Sequence, residues 1–162
     1  MLDAGLPITA LHMVIPHIGG IAAAIITRPE IYRWYKSLKK PKWHPPKWVF
    51  RTAWGLLYTE MGYASYLIWR DGGGFGGHAR LPLMLYGTQL ALNWAWTPLF
   101  FGAHCPGMAF VDITILMGFI SGCIYTFWSI NRYASYFMIP YLAWVTFGSA
   151  LNFRVWRDNR MK

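Results

Sequence analysis

Five stretches of this chain are apolar for about as long as a bilayer is thick, and that feature constrains the fold more than any other. A helix needs roughly 20 consecutive apolar residues to cross the hydrocarbon core. The runs 6–27, 47–69, 81–103, 108–130 and 133–156 reach that length. Residues are 56% hydrophobic, 19% aromatic and only 13% charged, figures that suit lipid better than a water-facing surface. The expectation is an all-α integral membrane bundle of five transmembrane helices, one domain over residues 1–162, with an interfacial loop at 28–46.

The net charge of +9 does not point to nucleic acid, because the cations sit beside apolar runs and not along a polar face. Five crossings place the termini on opposite sides, and the charges agree. Arg28, Arg33, Lys36, Lys39, Lys40, Lys42, Lys47, Arg51, Arg154, Arg157, Arg160 and Lys162 fall on one side, and only Arg70, Arg80 and Arg132 on the other. That asymmetry puts the first loop, the third loop and the C-terminus towards the cytoplasm; four or six crossings would scatter it. No basic region precedes the first run, which Pro7 and Pro16 interrupt, so it is expected to remain in the mature protein.

Between the first two runs, KKPKWHPPKWVFRTAW at 39–54 mixes cations, prolines and tryptophans, a composition suited to headgroup depth. The first helix is expected to end at Arg28-Pro29. An amphipathic piece over Glu30–Trp43 and a folded loop follow, with a new helix from about Lys47. Gly19, Gly20, Ala23 and Ala24 allow close helix approach, as does the stripe Gly87, Ala91 and Ala95, the expected dimer face. The glycine run 72–77 is expected to be a mobile turn.

Polar groups inside the runs are the first candidates for function. Glu60 and Asp112 are the carboxylates; Gln89, Asn93 and Asn152 suit hydrogen bonds between helices. Trp54, Trp96 and Trp144 lie inside runs and suit either helix packing or a cavity for a flat apolar molecule. His12, His17, His44, His78 and His104 share no metal-ligand spacing, Cys105 and Cys123 are too far apart to bridge, and no nucleophile with its base is visible. No catalytic residue, metal or required cofactor is expected.

WHPPKW at 43–48, GYASYLIW at 62–69, QLALNWAWTPLFFG at 89–102, PYLAW at 140–144, and LNF with VWRDN at 151–159 resemble the translocator protein family, once called the peripheral benzodiazepine receptor, in its animal form. IPHIGG and HCPGMAF are similar to that family's second paralogue, known from red-cell precursors. The resemblance implies a five-helix bundle, commonly dimeric, that binds cholesterol, porphyrins and drug-like ligands. It implies a place in the mitochondrial outer membrane, or in the endoplasmic reticulum or plasma membrane for the second paralogue.

Carried over by position, the ligand cavity under the first loop takes in Ala24, Thr27, Phe50, Arg51, Ala53 and Trp54 from the first two spans. Met108, Val111, Ile115, Trp144, Gly148 and Leu151 come from the last two. Leu151, Phe153 and Arg157 match the cholesterol-recognition stretch, with the loop as lid. Bacterial relatives imply an alternative, light-dependent porphyrin breakdown at Trp54 and Trp144; an oligomeric scaffold is a third reading. The chain departs from the family pattern at Arg51, Thr52, Glu60, Met108 and Phe153.

Overall fold

The computed structural model describes residues 5–160, so Lys162 of the basic set lies outside the described residues. Five helices run Gly5–Arg33 (α1), Lys47–Asp71 (α2), Arg80–Thr97 (α3), Pro106–Trp128 (α4) and Arg132–Asn159 (α5). Among the described residues there is no strand, and Leu6–Arg33 and Pro106–Trp128 are the two helices apolar throughout a full crossing length. The helices close a ring in the order α1, α2, α5, α4, α3, with α3 returning to α1.

Polar side chains knit the middle of this ring. The Tyr58 hydroxyl donates to Asn93 Oδ1 at 2.8 Å, Asn93 Nδ2 donates to the Tyr141 hydroxyl at 3.0 Å, and that hydroxyl donates to Gln89 Oε1 at 2.8 Å. Three helices are thus joined by one chain of hydrogen bonds. In lipid, where apolar surfaces gain nothing by meeting one another, such bonds contribute about 0.6–2 kcal/mol each and fix the register. The Gln89 and Asn93 expectation is met here, with Tyr58 and Tyr141 as the partners.

On α1, Gly19 lies under the Trp94 indole and Gly20 against the Tyr58 ring, so close helix approach is realised at both. Pro16 has no N–H to give the His12 carbonyl, and that carbonyl faces Gly62 of α2 so closely that a Cβ there would sit 2.5 Å from it. His12 Nδ1 to Ser65 Oγ at 2.8 Å and His17 Nε2 to Thr59 Oγ1 at 3.0 Å complete the α1–α2 seam.

Three local expectations change. α1 does not stop at Arg28-Pro29 but continues to Arg33, because contacts from the third loop hold its last turn; a single 3₁₀ turn, Tyr35–Ser37, follows in place of an amphipathic helix. α3 ends at Thr97, and Pro98–Gly102 widens into a π turn closed by Ala103 N–H to Pro98 O at 2.8 Å. The glycine run forms a hydrogen-bonded turn with Gly73 and Gly74 at φ 79° and 71°, a backbone that side chains disfavour.

Candidate functional site: an aromatic cluster beneath the first loop

The first loop, the third loop and the end of α5 meet at one end of the bundle. Asn159 clamps the loop through its side-chain amide: Lys39 N–H donates to Asn159 Oδ1 at 3.0 Å and Asn159 Nδ2 donates to Lys39 O at 3.0 Å. His104, whose φ of 53° is left-handed, stacks on Trp34 at 4.3 Å and reaches Glu30 Oε2 at 2.8 Å. At the opposite end Asn131 Nδ2 donates to Asp71 Oδ2 at 2.6 Å, joining α2 to α5. The eleven cations of that set other than Lys162 belong to the end that holds the loop.

Within the loop, the Tyr35 hydroxyl bonds His44 Nε2 at 2.5 Å, and Lys40 Nζ donates to the carbonyls of Tyr35 at 2.6 Å and Leu38 at 3.0 Å. Burial raises the Tyr35 hydroxyl to about 12 and, together with the Lys40 charge, lowers the His44 imidazole below its ordinary 6.5. A neutral imidazole accepting from a protonated phenol is the arrangement these shifts favour.

Beneath the loop the space is filled by rings. Phe100 and Phe101, buried in the π turn, meet Trp34 and Tyr35 from above and Trp96 from the side, with Leu151 and Val155 of α5 in the same cluster. Phe50 meets Trp144 edge-on at 5.6 Å, and Trp54 lies 5.3 Å from the Tyr58 ring, which ties the cluster to the polar network. Hydrogen bonds are sparse. Trp96 Nε1 donates to Asn152 Oδ1 at 2.9 Å, and Asn152 Nδ2 donates to Pro106 O at 2.8 Å. Ring pairs of this kind contribute about 0.5–1.5 kcal/mol each beyond buried area, with loose geometric demands.

The structure gathers some of the expected ligand residues and separates others. Phe50, Trp54, Trp144 and Leu151 belong to this packed region, with Ala53 and Gly148 half-buried on the same two helices. Thr27 spends its hydroxyl on Ala23 O at 2.7 Å, while Ala24 and Arg51 are exposed. Met108, Val111 and Ile115 lie on the exposed face of α4, opposite its buried residues Ala109, Ile113 and Leu116. Leu151 faces inward, about 200° around the helix from Phe153. Phe153 and Arg157 stay together outside, the guanidinium 6.0 Å from the ring, with Phe110 at 5.3 Å from Phe153. Gly87 and Ala91 face outward from α3, and a Cβ at Gly87 would meet nothing within 4 Å; Ala95 is half-buried.

Sequence reasoning missed Trp34, Tyr35, Phe100, Phe101 and Asn159 as parts of this site. Only the doubled phenylalanine after Pro98 hints at a break in helical phase. Among the described residues no three His, Cys, Asp or Glu side chains converge on a metal position.

These features define a five-helix membrane bundle with an aromatic interior closed at one end by a tethered, cation-rich loop. The TspO/MBR family profile matches residues 12–157, and the chain belongs to that family. It is 46% identical over 149 residues to the bovine translocator protein, covering 92% of this chain and 88% of the relative. It is 48% identical over 147 residues to the sheep translocator protein, covering 91% and 87%. The dog translocator protein 2 is 42% identical over 154 residues, covering 94% and 90%.

Proposed function

We propose that the loop-covered end binds rigid apolar ligands, a sterol or a tetrapyrrole, by displacing the chain's own rings. The observation that carries this reading is the composition of the cluster: aromatic side chains held by ring contacts, with few hydrogen bonds to break, beneath a loop fastened at few points. A flat ligand replaces ring–ring contacts with ring–ligand contacts at little cost. Cations of the loop and Arg51 would meet the carboxylates of a tetrapyrrole. Phe153, Phe110 and Arg157 offer an outer face where a sterol could rest its rings and its hydroxyl. The relatives' name speaks of translocation, and binding at a loop-gated end is the first step such a role requires.

Titrating protoporphyrin into the purified protein while following tryptophan fluorescence tests the reading. The paired change Phe50→Ala, Trp144→Ala should weaken binding at least tenfold, and unchanged affinity would remove the cluster from the site. We further propose the mitochondrial outer membrane as the location and a homodimer through Gly87, Ala91 and Ala95. Protease access to a C-terminal tag on intact mitochondria tests the first. A Gly87→Leu protein that remains dimeric in detergent rules out the second.

A further inference from the structure

Towards the loop, the seam between α1 and α2 changes character within two helical turns. At Gly62 a Cβ would meet the His12 carbonyl at 2.5 Å, whereas at Gly55, earlier on the same stripe of α2, it would meet nothing within 4 Å. The two helices therefore part as they approach the loop. The opening is lined by small or apolar residues, Ala24 and Ile25 of α1 with Thr52, Gly55 and Leu56 of α2, all exposed or half-buried.

Three cations stand over this crevice. His17 bonds Thr59 at 3.0 Å, Gly20 meets the Tyr58 ring, and Lys47 Nζ lies 4.4 Å from the centre of the Tyr32 ring. That register sets Arg28 level with Arg51, one turn deeper than Tyr32 and Lys47. Arg28, Lys47 and Arg51 are exposed, and among the described residues none of them makes a hydrogen bond or an ion pair. The carboxylates of this end are engaged elsewhere or out of reach. Glu30 bonds His104, Asp158 pairs with Arg154 and Arg157, and Asp112 is buried in α4, which borders neither α1 nor α2 in the ring. Like charges at one level beside hydrocarbon repel one another and call for a counter-charge.

We infer that this crevice seats an anionic phospholipid, its phosphate between Arg28 and Arg51 beneath the Lys47 ammonium and an acyl chain along Ala24, Gly55 and Leu56. A phosphodiester offers separate oxygens to two guanidinium forks. A choline or ethanolamine head brings a further positive charge to a patch that already holds three. The apolar lining selects a lipid over an acidic peptide, which has no tail to fill it. The site lies outside the ring cluster and does not rest on the ligand proposed beneath the loop. It is particular to this chain, because Arg51 is one of the departures from the family pattern.

Native mass spectrometry of the full chain tests this, using porphyrin-free detergent micelles that hold equal amounts of phosphatidylglycerol and phosphatidylcholine with matched acyl chains. The wild type should retain the anionic lipid at least about tenfold more than the zwitterionic one, a ratio that one charge-assisted contact suffices to give. The pair Arg28→Gln, Arg51→Gln should remove the preference, while Lys36→Gln, Lys42→Gln, which takes the same charge from the loop, should keep it. Gly55→Leu, which fills the crevice and leaves every charge in place, should also lower retention. No preference in the wild type, a preference that survives the arginine pair, or one lost equally in the lysine pair overturns the proposal. Displacement of the lipid by glycerol phosphate alone would reveal a free-phosphate site, and displacement by a polyglutamate peptide a protein-docking face; either result overturns it too. The pair Phe50→Ala, Trp144→Ala should retain lipid as the wild type does, so this reading and the one beneath the loop fail separately. A thermal midpoint within a few degrees of wild type for the arginine pair separates lost binding from lost folding.

Discussion

The middle of the bundle and the end beneath the loop are both packed with aromatic side chains, yet they are held together differently. At the middle, Tyr58, Asn93, Tyr141 and Gln89 bond one another in sequence, and each group has one acceptable geometry. At the loop end, Phe50, Phe100, Phe101, Trp34 and Trp144 meet through faces and edges that tolerate rearrangement. The same residue class therefore makes a fixed core where hydroxyls and amides link it, and an exchangeable filling where they do not. A protein that must admit a rigid ligand without coming apart needs both.

Breaking the fixed region should have the largest effect. Tyr141→Ala removes a fully buried ring and leaves Asn93 Nδ2 and Gln89 Oε1 without their partner, so it should cost about 3–5 kcal/mol, read as a large fall in the thermal midpoint in detergent. Phe50→Ala, at the exchangeable end, should cost clearly less; equal losses would erase the contrast.

A smaller effect tests the seam on which the core rests. Gly62→Ala drives a Cβ into the backbone of His12 and Met13 and should destabilise by about 1–3 kcal/mol through displacement of α1. Gly55→Ala, where a Cβ meets nothing within 4 Å, should be neutral or stabilise by about 0.5–1 kcal/mol. A glycine in the same helix thus serves as its own control.

The smallest effect concerns the loop. Asn159→Ala should change global stability by less than about 1 kcal/mol while speeding tryptic cleavage at Lys36 and Lys39, because it frees the loop without touching the core. Acidification should act in the same direction. The imidazole of His44 binds its proton less readily in the closed loop than in an open one, so the open form gains protons first. Loop closure is favoured above about pH 6.5 and weakens as the pH falls below it. Cleavage, scored against an unstructured lysine peptide digested at the same pH, should therefore quicken on going from pH 7.5 to pH 5.5, and Lys40→Gln should blunt that change by removing the neighbouring charge.

Sequence reading located the amides of α3 because a polar group in a long apolar run has nowhere to go except to another polar group. It could not name Tyr58 and Tyr141 as the partners, since tyrosine is equally at home at a helix end. The same limit applied at the loop. WHPPKW announced a break and a new helix at Lys47, which Pro46 begins as expected. Nothing local marked Asn159, which lies 120 residues from the lysine it clamps. Positions carried over from the family behaved unevenly for a geometric reason: residues two apart on a helix face nearly opposite ways, so Leu151 and Phe153 cannot share one surface.

The chain by itself determined that five helices form, roughly where each begins, and which loops gather at the basic end, because these follow from the length and polarity of its runs in a medium that forbids unpaired backbone. Tertiary structure alone decided the order of helices around the ring, the partners of the buried amides, the π turn that turns Phe100 and Phe101 inward, and the faces of α4 and α5 that look out. Those choices rest on contacts between distant segments, where a difference of one residue in helical phase exchanges a buried side chain for an exposed one.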